Sequence, residues 1–343
     1  MMGFPKRHLK IARILVLGVL ILGWGAWAFG ALWFDSPVAA SSHAVAFTYL
    51  GVVLVLLFLV ARGSRWATLG VVGVVALTAL VTLWWFLLQP GNDRDWQTDV
   101  AREPWADVNG DLVTLHNVRN FDYRSDNKSG ENNPRWETRT VRLSQLTGID
   151  AFLNFWGISW MAHPILSFQF KDAPPLAISI ETRKEKGEDY SALGGLYRQF
   201  ELVYVVADER DVIRVRSNYR EGEEVYLYRT TMPQEEVRER FLEYIRSMNE
   251  LYAHPRWYNA ITANCTTAIR SQRSIAARSP WDLRILKNGH IDEMFYERGL
   301  LTTKGLPFDE LKQRALINPA ARKADQDPNF SRIIRAGRPG FGE

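Results

Sequence analysis

Cys265 is the only cysteine among 343 residues, and its setting suits a nucleophile. It lies in YNAITANCTTAIRS (258–271), where Asn264 is a good helix N-cap and the following threonines tolerate a first helical turn. A cysteine there points into unpaired N–H groups and the positive end of a helix dipole, which favour the thiolate. Those N–H groups, with Asn264 beside them, could also stabilise an oxyanion. The competing reading is an inert buried cysteine at a helix start.

A thiolate nucleophile needs a base. His43, His116, His163, His254 and His290 are the candidates beyond the basic N-terminus. His43 lies in a short connection between apolar runs, and His254 precedes Pro255 at a helix end. His290 follows a glycine, and His116 sits in an upstream strand. His163 opens the strand HPILSFQF, whose neighbour is expected at 176–183. A cysteine on a helix packed against a histidine-bearing strand is the arrangement of papain-like hydrolases. The order His then Cys implies a circularly permuted version. The residue that orients the imidazole should come from the adjacent strand. Glu181 in AISIETRKE fits, with Ser179 on the same face, and Glu201 in FELVYVV competes. Asn264, Glu201 and Arg183 complete the candidates as substrate- or oxyanion-binding groups. For the carboxylates, a surface charge or an ion pair with Arg183 or Arg210 is the bland alternative.

The elements that position these residues are short. Strands are expected at 112–123, 135–143, 163–170, 176–183, 200–207, 212–217 and 223–230, with DERD (208–211) as a hairpin turn. The aromatic-rich 146–162 reads as a short helix or turn, and 124–134 as a loop. Thr231 and Gln234 suggest a capping box with Pro233 in the first turn. The helix that follows places Val237, Phe241, Ile245 and Met248 on one face and ends at His254–Pro255. A second helix starts at Asn264 or Cys265 and runs to about Ala277. The last 60 residues show helical patches and no separate core.

The first 90 residues differ in kind. They hold three apolar stretches, at about 11–34, 44–61 and 66–88, each close to the ~20 residues that cross a bilayer. Six Lys/Arg and a single acid lie there, so the net +4 is about +5 on this part and about −1 on the rest. A near-neutral remainder excludes a nucleic-acid footprint. KRHLKIAR and RGSR are basic while DSPVAASSH has no Lys or Arg, which places the N-terminus in the cytoplasm and everything after residue 90 outside it. The chain thus reads as α+β: three N-terminal transmembrane helices, a linker at 91–110, and an extracytoplasmic domain at 111–343 with an antiparallel sheet and packed helices, which the resemblance described next makes a periplasmic catalytic domain on the bacterial inner membrane. A lone cysteine outside the cytoplasm has no disulfide partner in the chain. No HExxH, Cys-x-x-Cys or P-loop occurs, so neither metal nor cofactor is expected.

Four segments, SWMAHPILSFQF, AISIETRKEKGEDYSALGGLYRQFELVYVVADERDVIRVR, YNAITANCTTAIR and DPNFSRIIRAGRPG, resemble the Lnb-type N-terminal periplasmic domain family. The likeness runs from about residue 109 to 340. The NCTT segment is also similar to the Asn-Cys motif of permuted NlpC-like and lecithin–retinol-acyltransferase-like enzymes. The family includes a bacterial lipoprotein N-acyltransferase with a Cys–His pair. The resemblance therefore implies Cys265 as nucleophile and His163 as base. It implies acyl transfer through a thioester, from a membrane lipid to an amine such as a lipoprotein N-terminus. A membrane-bound cysteine peptidase or amidase would use the same residues with water as acceptor. A non-enzymatic envelope assembly module would leave Cys265 structural.

Overall fold

The computed structural model describes residues 6–36, 42–63, 65–124, 133–157, 161–274, 278 and 280–342. Contacts divide the chain into two units: Met1–Pro90 with Tyr190–Phe200, and Gly91–Asp189 with Glu201–Glu343.

Three helices build the first unit: α1 (Lys6–Asp35), α2 (Ser42–Ala61) and α3 (Arg65–Leu87). Leu15–Asp35, His43–Ala61 and Trp66–Leu87 are each long and apolar enough to cross a membrane. Leu15, Val19, Val55, Leu69 and Leu83 are all more than half exposed, the apolar-outward pattern that lipid permits and water does not. The inner seam uses small side chains, Ala28, Ala31 and Ala46, around a buried Tyr49–Thr78 hydroxyl pair at 2.9 Å. A Cβ on Gly70 would lie 2.5 Å from the Leu56 carbonyl, so the close approach of α2 and α3 requires glycine there. Trp85 Nε1 donates to Asp35 Oδ2 at 2.7 Å, so α1 and α3 end side by side. Tyr190–Phe200, which the sequence assigns to the second domain, packs against these helix ends instead.

The second unit is an eight-stranded sheet with helices. Its strands are β1 (Trp105–Asn109), β2 (Leu112–Arg119), β3 (Trp136–Arg142), β4 (Leu146–Phe155), β5 (Ala162–Phe170), β6 (Leu176–Arg183), β7 (Glu201–Asp208) and β8 (Glu224–Arg229). The order is β1-β2-β7-β6-β5-β4-β8, with β3 also paired to β2. Pairing is antiparallel except where β2 meets β7, so the expected antiparallel sheet is mixed at one step. The helices are α4 (Glu209–Arg214), α5 (Gln234–Ala253), α6 (Cys265–Ser271), α7 (Ile291–Glu297), α8 (Phe308–Ala315), α9 (Asn318–Lys323) and α10 (Phe330–Ile333). The α+β class holds.

Helix α5 buries Val237, Phe241, Ile245 and Met248, and Phe241 meets Phe168 of β5 edge-on at 4.9 Å between ring centres. Another core joins Phe152, Ile165, Val203 and Leu227 of the sheet to Ile317, Ala321, Phe330 and Ile334 of the C-terminal region. The last 60 residues therefore complete this core rather than build one of their own.

Several expectations fail for identifiable reasons. Residues 91–110 are not a linker: Trp96 bridges to Glu185, and β1 extends the sheet beside β2. The 146–162 segment supplies β4, flanked by β5 and β8 and buried on both faces, which erases the alternation that reveals a strand. The 212–217 segment is no strand. Asp208 caps α4 by accepting from Arg210 N, and the chain continues as a wide turn through Val215–Tyr219. The acids of DERD thus open a helix rather than close a hairpin. Before α5, Pro233 itself holds the N-cap position, and the Thr231 hydroxyl donates to the Gly299 carbonyl. Helix α6 begins after Asn264 as expected but ends at Ser271; residues 275–277 lie outside the described ones, as does most of the 124–134 loop.

Candidate active site

Three separate elements bring the site together. β5 supplies His163, β6 supplies Ser179 and Glu181, and α6 supplies Cys265. Antiparallel pairing of β5 with β6, with Ile165 opposite Ser179, carries the start of β5 to the Glu181 end of β6. Asn264 caps α6: its Oδ1 accepts from Thr267 N at 2.9 Å, and the Thr267 hydroxyl accepts from Asn264 N at 2.9 Å. This reciprocal cap holds the first turn and so the thiol at its start.

His163 is buried, 6% exposed, and lies near enough to the Cys265 thiol for the sulfur to favour its protonated ring. Its Nε2 lies 2.6 Å from Ser179 Oγ and 3.1 Å from Glu181 Oε1. Both contacts are made by Nε2. The Ser179 hydroxyl donates to Glu181 Oε1 at 2.6 Å, and Arg216 Nη2 donates to the same oxygen at 2.7 Å. Arg216 also faces Glu223 at 3.7 Å, and Glu223 accepts from Asn154 Nδ2 at 2.7 Å. Asn288 stands on the other side of the sulfur. Its Nδ2 points at Cys265 Sγ from 3.8 Å, while its Oδ1 accepts from Ala162 N at 2.8 Å. Cys265 is partly exposed, so a substrate could reach it.

The electrostatics follow from this layout. Burial is the largest single effect and opposes a charged imidazole at His163, but the charge and hydrogen bonding of Glu181 together with the Cys265 thiol outweigh it, and the ring is pushed up to about 9. Burial likewise opposes the Glu181 anion, yet His163 and Arg216 together hold the carboxyl well below its ordinary value. The acid is thus ionised, and the proton is favoured on the ring.

The other sequence candidates lie elsewhere or do other work. The Asn264 side chain is consumed by the cap and by donation to the Ala260 carbonyl at 2.8 Å, so its amide is not an oxyanion donor. Glu201 accepts from Gly91 N at 2.9 Å and faces Arg94 at 3.3 Å. Arg183 donates to the Val100 and Ala101 carbonyls and to Asn92 Oδ1, with Glu103 at 3.3 Å and the Trp96 ring beneath it at 4.3 Å. Glu201 and Arg183 therefore anchor the 91–103 segment to the sheet and do not contact the Cys–His pair. His116 stacks on Trp105 and His43 on Trp33. His254 ends α5, and His290 faces Glu293 at the surface. Sequence reasoning missed Arg216 and Asn288. Arg216 sits in a segment misread as strand, and Asn288 in KNGH carries no motif. Among the described residues, no three His, Cys, Asp or Glu side chains gather closely enough to hold a metal ion.

Three apolar helices followed by this α+β unit define a membrane protein with a periplasmic domain. Residues 132–289 match the family model of the Lnb N-terminal periplasmic domain. The matched stretch is shorter than the 109–340 over which the sequence resembles the family, but it takes in His163, Glu181, Arg216, Cys265 and Asn288. No curated protein and no solved structure matches the chain.

Proposed function

We propose that the periplasmic domain is a membrane-anchored, cysteine-dependent acyltransferase that works through a thioester. Cys265 Sγ attacks the carbonyl carbon of a lipid ester. One proton is shared between sulfur and His163, and Glu181 biases it toward the ring, leaving sulfur as the nucleophile. The tetrahedral oxyanion faces the Asn288 amide and the first N–H groups of α6. The ester C–O bond then breaks, and His163 gives its proton to the departing alcohol. An amine attacks the thioester, passes a proton to His163, and frees the thiolate as the new amide forms. Glu181 orients the ring, and Arg216 keeps Glu181 ionised.

The observation that carries this reading is a cavity of about 330 Å³ lined by the chain neighbours of both residues, not by His163 or Cys265 themselves. Pro164, next to the base, and Thr266, next to the nucleophile, both line it. Leu153, Leu166, Ile269 and Met294 make the rest predominantly apolar. A volume of this size lies at the low end for small-molecule sites and suits a hydrocarbon chain better than a polar peptide. Tethering by three spans would confine both lipid donor and lipoprotein acceptor to the same surface. The inner membrane, with the N-terminus in the cytoplasm, is the location that the charge asymmetry favours.

The test is acyl transfer from labelled phospholipid in reconstituted vesicles, with mass spectrometry of Cys265. Wild type should carry an acyl-mass adduct, and Cys265→Ser and His163→Ala should lose activity by roughly 10³-fold or more. Full activity in both variants would reject the reading. A peptide adduct on Cys265 would replace acyl transfer by proteolysis.

A further inference from the structure

We infer that Tyr190–Phe200 is a membrane-inserting strap, which places Leu193 and Leu196 in the bilayer at the level where α3 ends. The segment, YSALGGLYRQF, leaves the chain between β6 and β7 and groups with the three helices, not with the sheet. It is docked, not loose. The Tyr197 ring stacks on Phe34 at 5.2 Å and lies over Trp27 at 6.5 Å. The Arg198 guanidinium donates to the Trp85 carbonyl at 2.7 Å and the Leu88 carbonyl at 2.9 Å, and lies 4.0 Å over the Trp85 ring. Arg198 N donates to both oxygens of Asp35 at the end of α1. Arg198 thus satisfies carbonyls that the last turn of α3 leaves open.

One glycine is required by this docking, and a second eases it. A Cβ on Gly30 would lie 2.0 Å from Tyr197 Oη, and one on Gly194 would lie 1.8 Å from Gln199 Oε1 and 3.3 Å from Phe34. The bare backbone at Gly30 lets the Tyr197 ring lie against α1.

What the strap turns outward is apolar. Leu193 is 65% exposed, and Leu196 and Tyr190 are each 40% exposed. Arg198 is the one charged residue from 190 to 200, and its guanidinium is spent on α3. The polar run EKGED (185–189) ends where the apolar surface begins. At the same height, Phe86 and Leu87 of α3 are 61% and 67% exposed. Those two residues close a membrane span, so lipid is what covers them. Arg198 ties the strap to residues 85–88, and the exposed leucines lie two and five residues before it. The occupant of this surface is therefore the same bilayer the helices cross. Large aliphatic side chains beside a tryptophan and an arginine at a span's end are the composition of an interfacial anchor.

The inference does not depend on the proposed activity, and its test does not read activity. Because Cys265 is the only cysteine, Leu193→Cys and Leu196→Cys in a Cys265→Ser background give single labelling sites. The full chain, labelled with an environment-sensitive fluorophore, is reconstituted in phospholipid vesicles. Both labels should emit blue-shifted relative to one at Asp107→Cys, on an exposed hairpin. Both should also be quenched by lipid bearing a nitroxide near the glycerol and shielded from aqueous iodide. Iodide quenching equal to that at Asp107→Cys would overturn the inference. So would protection from iodide and lipid nitroxide alike, because that would mean a protein covers the strap.

Discussion

Glu181 and Arg183 lie two positions apart on β6, and each belongs to a buried cluster of opposite balance. Around Glu181 one carboxylate meets two cationic partners, His163 and Arg216. Around Arg183 one buried guanidinium serves Glu103 and stands near Glu201, each of which burial pushes up to about 7. Burial raises every one of these carboxyls. At Glu181 the two cations reverse that effect, and at Glu103 and Glu201 they do not. Close cations, His163 at 3.1 Å and Arg216 at 2.7 Å, hold Glu181 ionised, whereas Glu103 and Glu201 lie deeper, with side chains 3% and 1% exposed against 20%, and their cations stand 3.3 Å away. The first cluster holds a ready anion behind a base, whereas the second holds a strained clamp on the 91–103 segment.

The sharpest way to break this comparison is to neutralise one acid in each cluster. Glu181→Gln should lower kcat/KM for acyl transfer by about 10²–10⁴-fold, as losing the carboxylate behind a catalytic histidine does. Glu103→Gln should leave it within a few-fold. Equal losses would mean that the clusters do not differ in role.

The next effect is on stability. Arg216→Met removes the buried cation shared by the partly exposed Glu181 and Glu223, at a cost of about 1–3 kcal/mol. Arg94→Met removes a cation that is 31% exposed beside Glu201 and should cost about 1 kcal/mol or less. Chemical denaturation of the full chain in detergent would rank them, and the reverse order would contradict the buried role of Arg216.

The smallest effect is a difference in pH dependence. His163 is raised from 6.5 to about 9, so its contribution is complete below pH 6.5 and is lost as pH rises through 9. Glu181 is depressed, so its contribution holds above about pH 4.5 and is lost as pH falls below that. Glu103 and Glu201 are raised from 4.5 to about 7, so they lower stability as pH rises between those values. Melting curves across pH should show that Glu181→Gln flattens the alkaline loss above 6.5. Glu103→Gln should weaken the decline between 4.5 and 7 instead. Identical pH profiles for the two variants would refute the assignment.

Legibility followed the range of the forces involved. Three spans were readable because a bilayer demands some twenty apolar residues in a row, a purely local condition. Helix α5 was readable from its one apolar face, and the start of α6 from Asn264. Strand β4 was not, since burial on both faces removed its period, and α4 was not, since its acids resemble a turn. His163, Glu181 and Cys265 could be named from residue type and the expected neighbouring strands. Their contact could not be. Preference for Glu181 over Glu201 was a matter of strand register, and the parts of Arg216 and Asn288 lay in segments without pattern.

The sequence by itself determined the membrane spans, the cap that starts α6 and the residue types able to do thiol chemistry. Each rests on side chains a few positions apart, whose interactions the chain cannot avoid. The tertiary structure alone decided which histidine meets the thiol, which carboxylate stands behind it and where the 190–200 strap docks. Those outcomes depend on Coulomb and packing terms that vary with distances of a few ångströms between residues tens to more than a hundred positions apart, and strand pairing and helix docking set such distances.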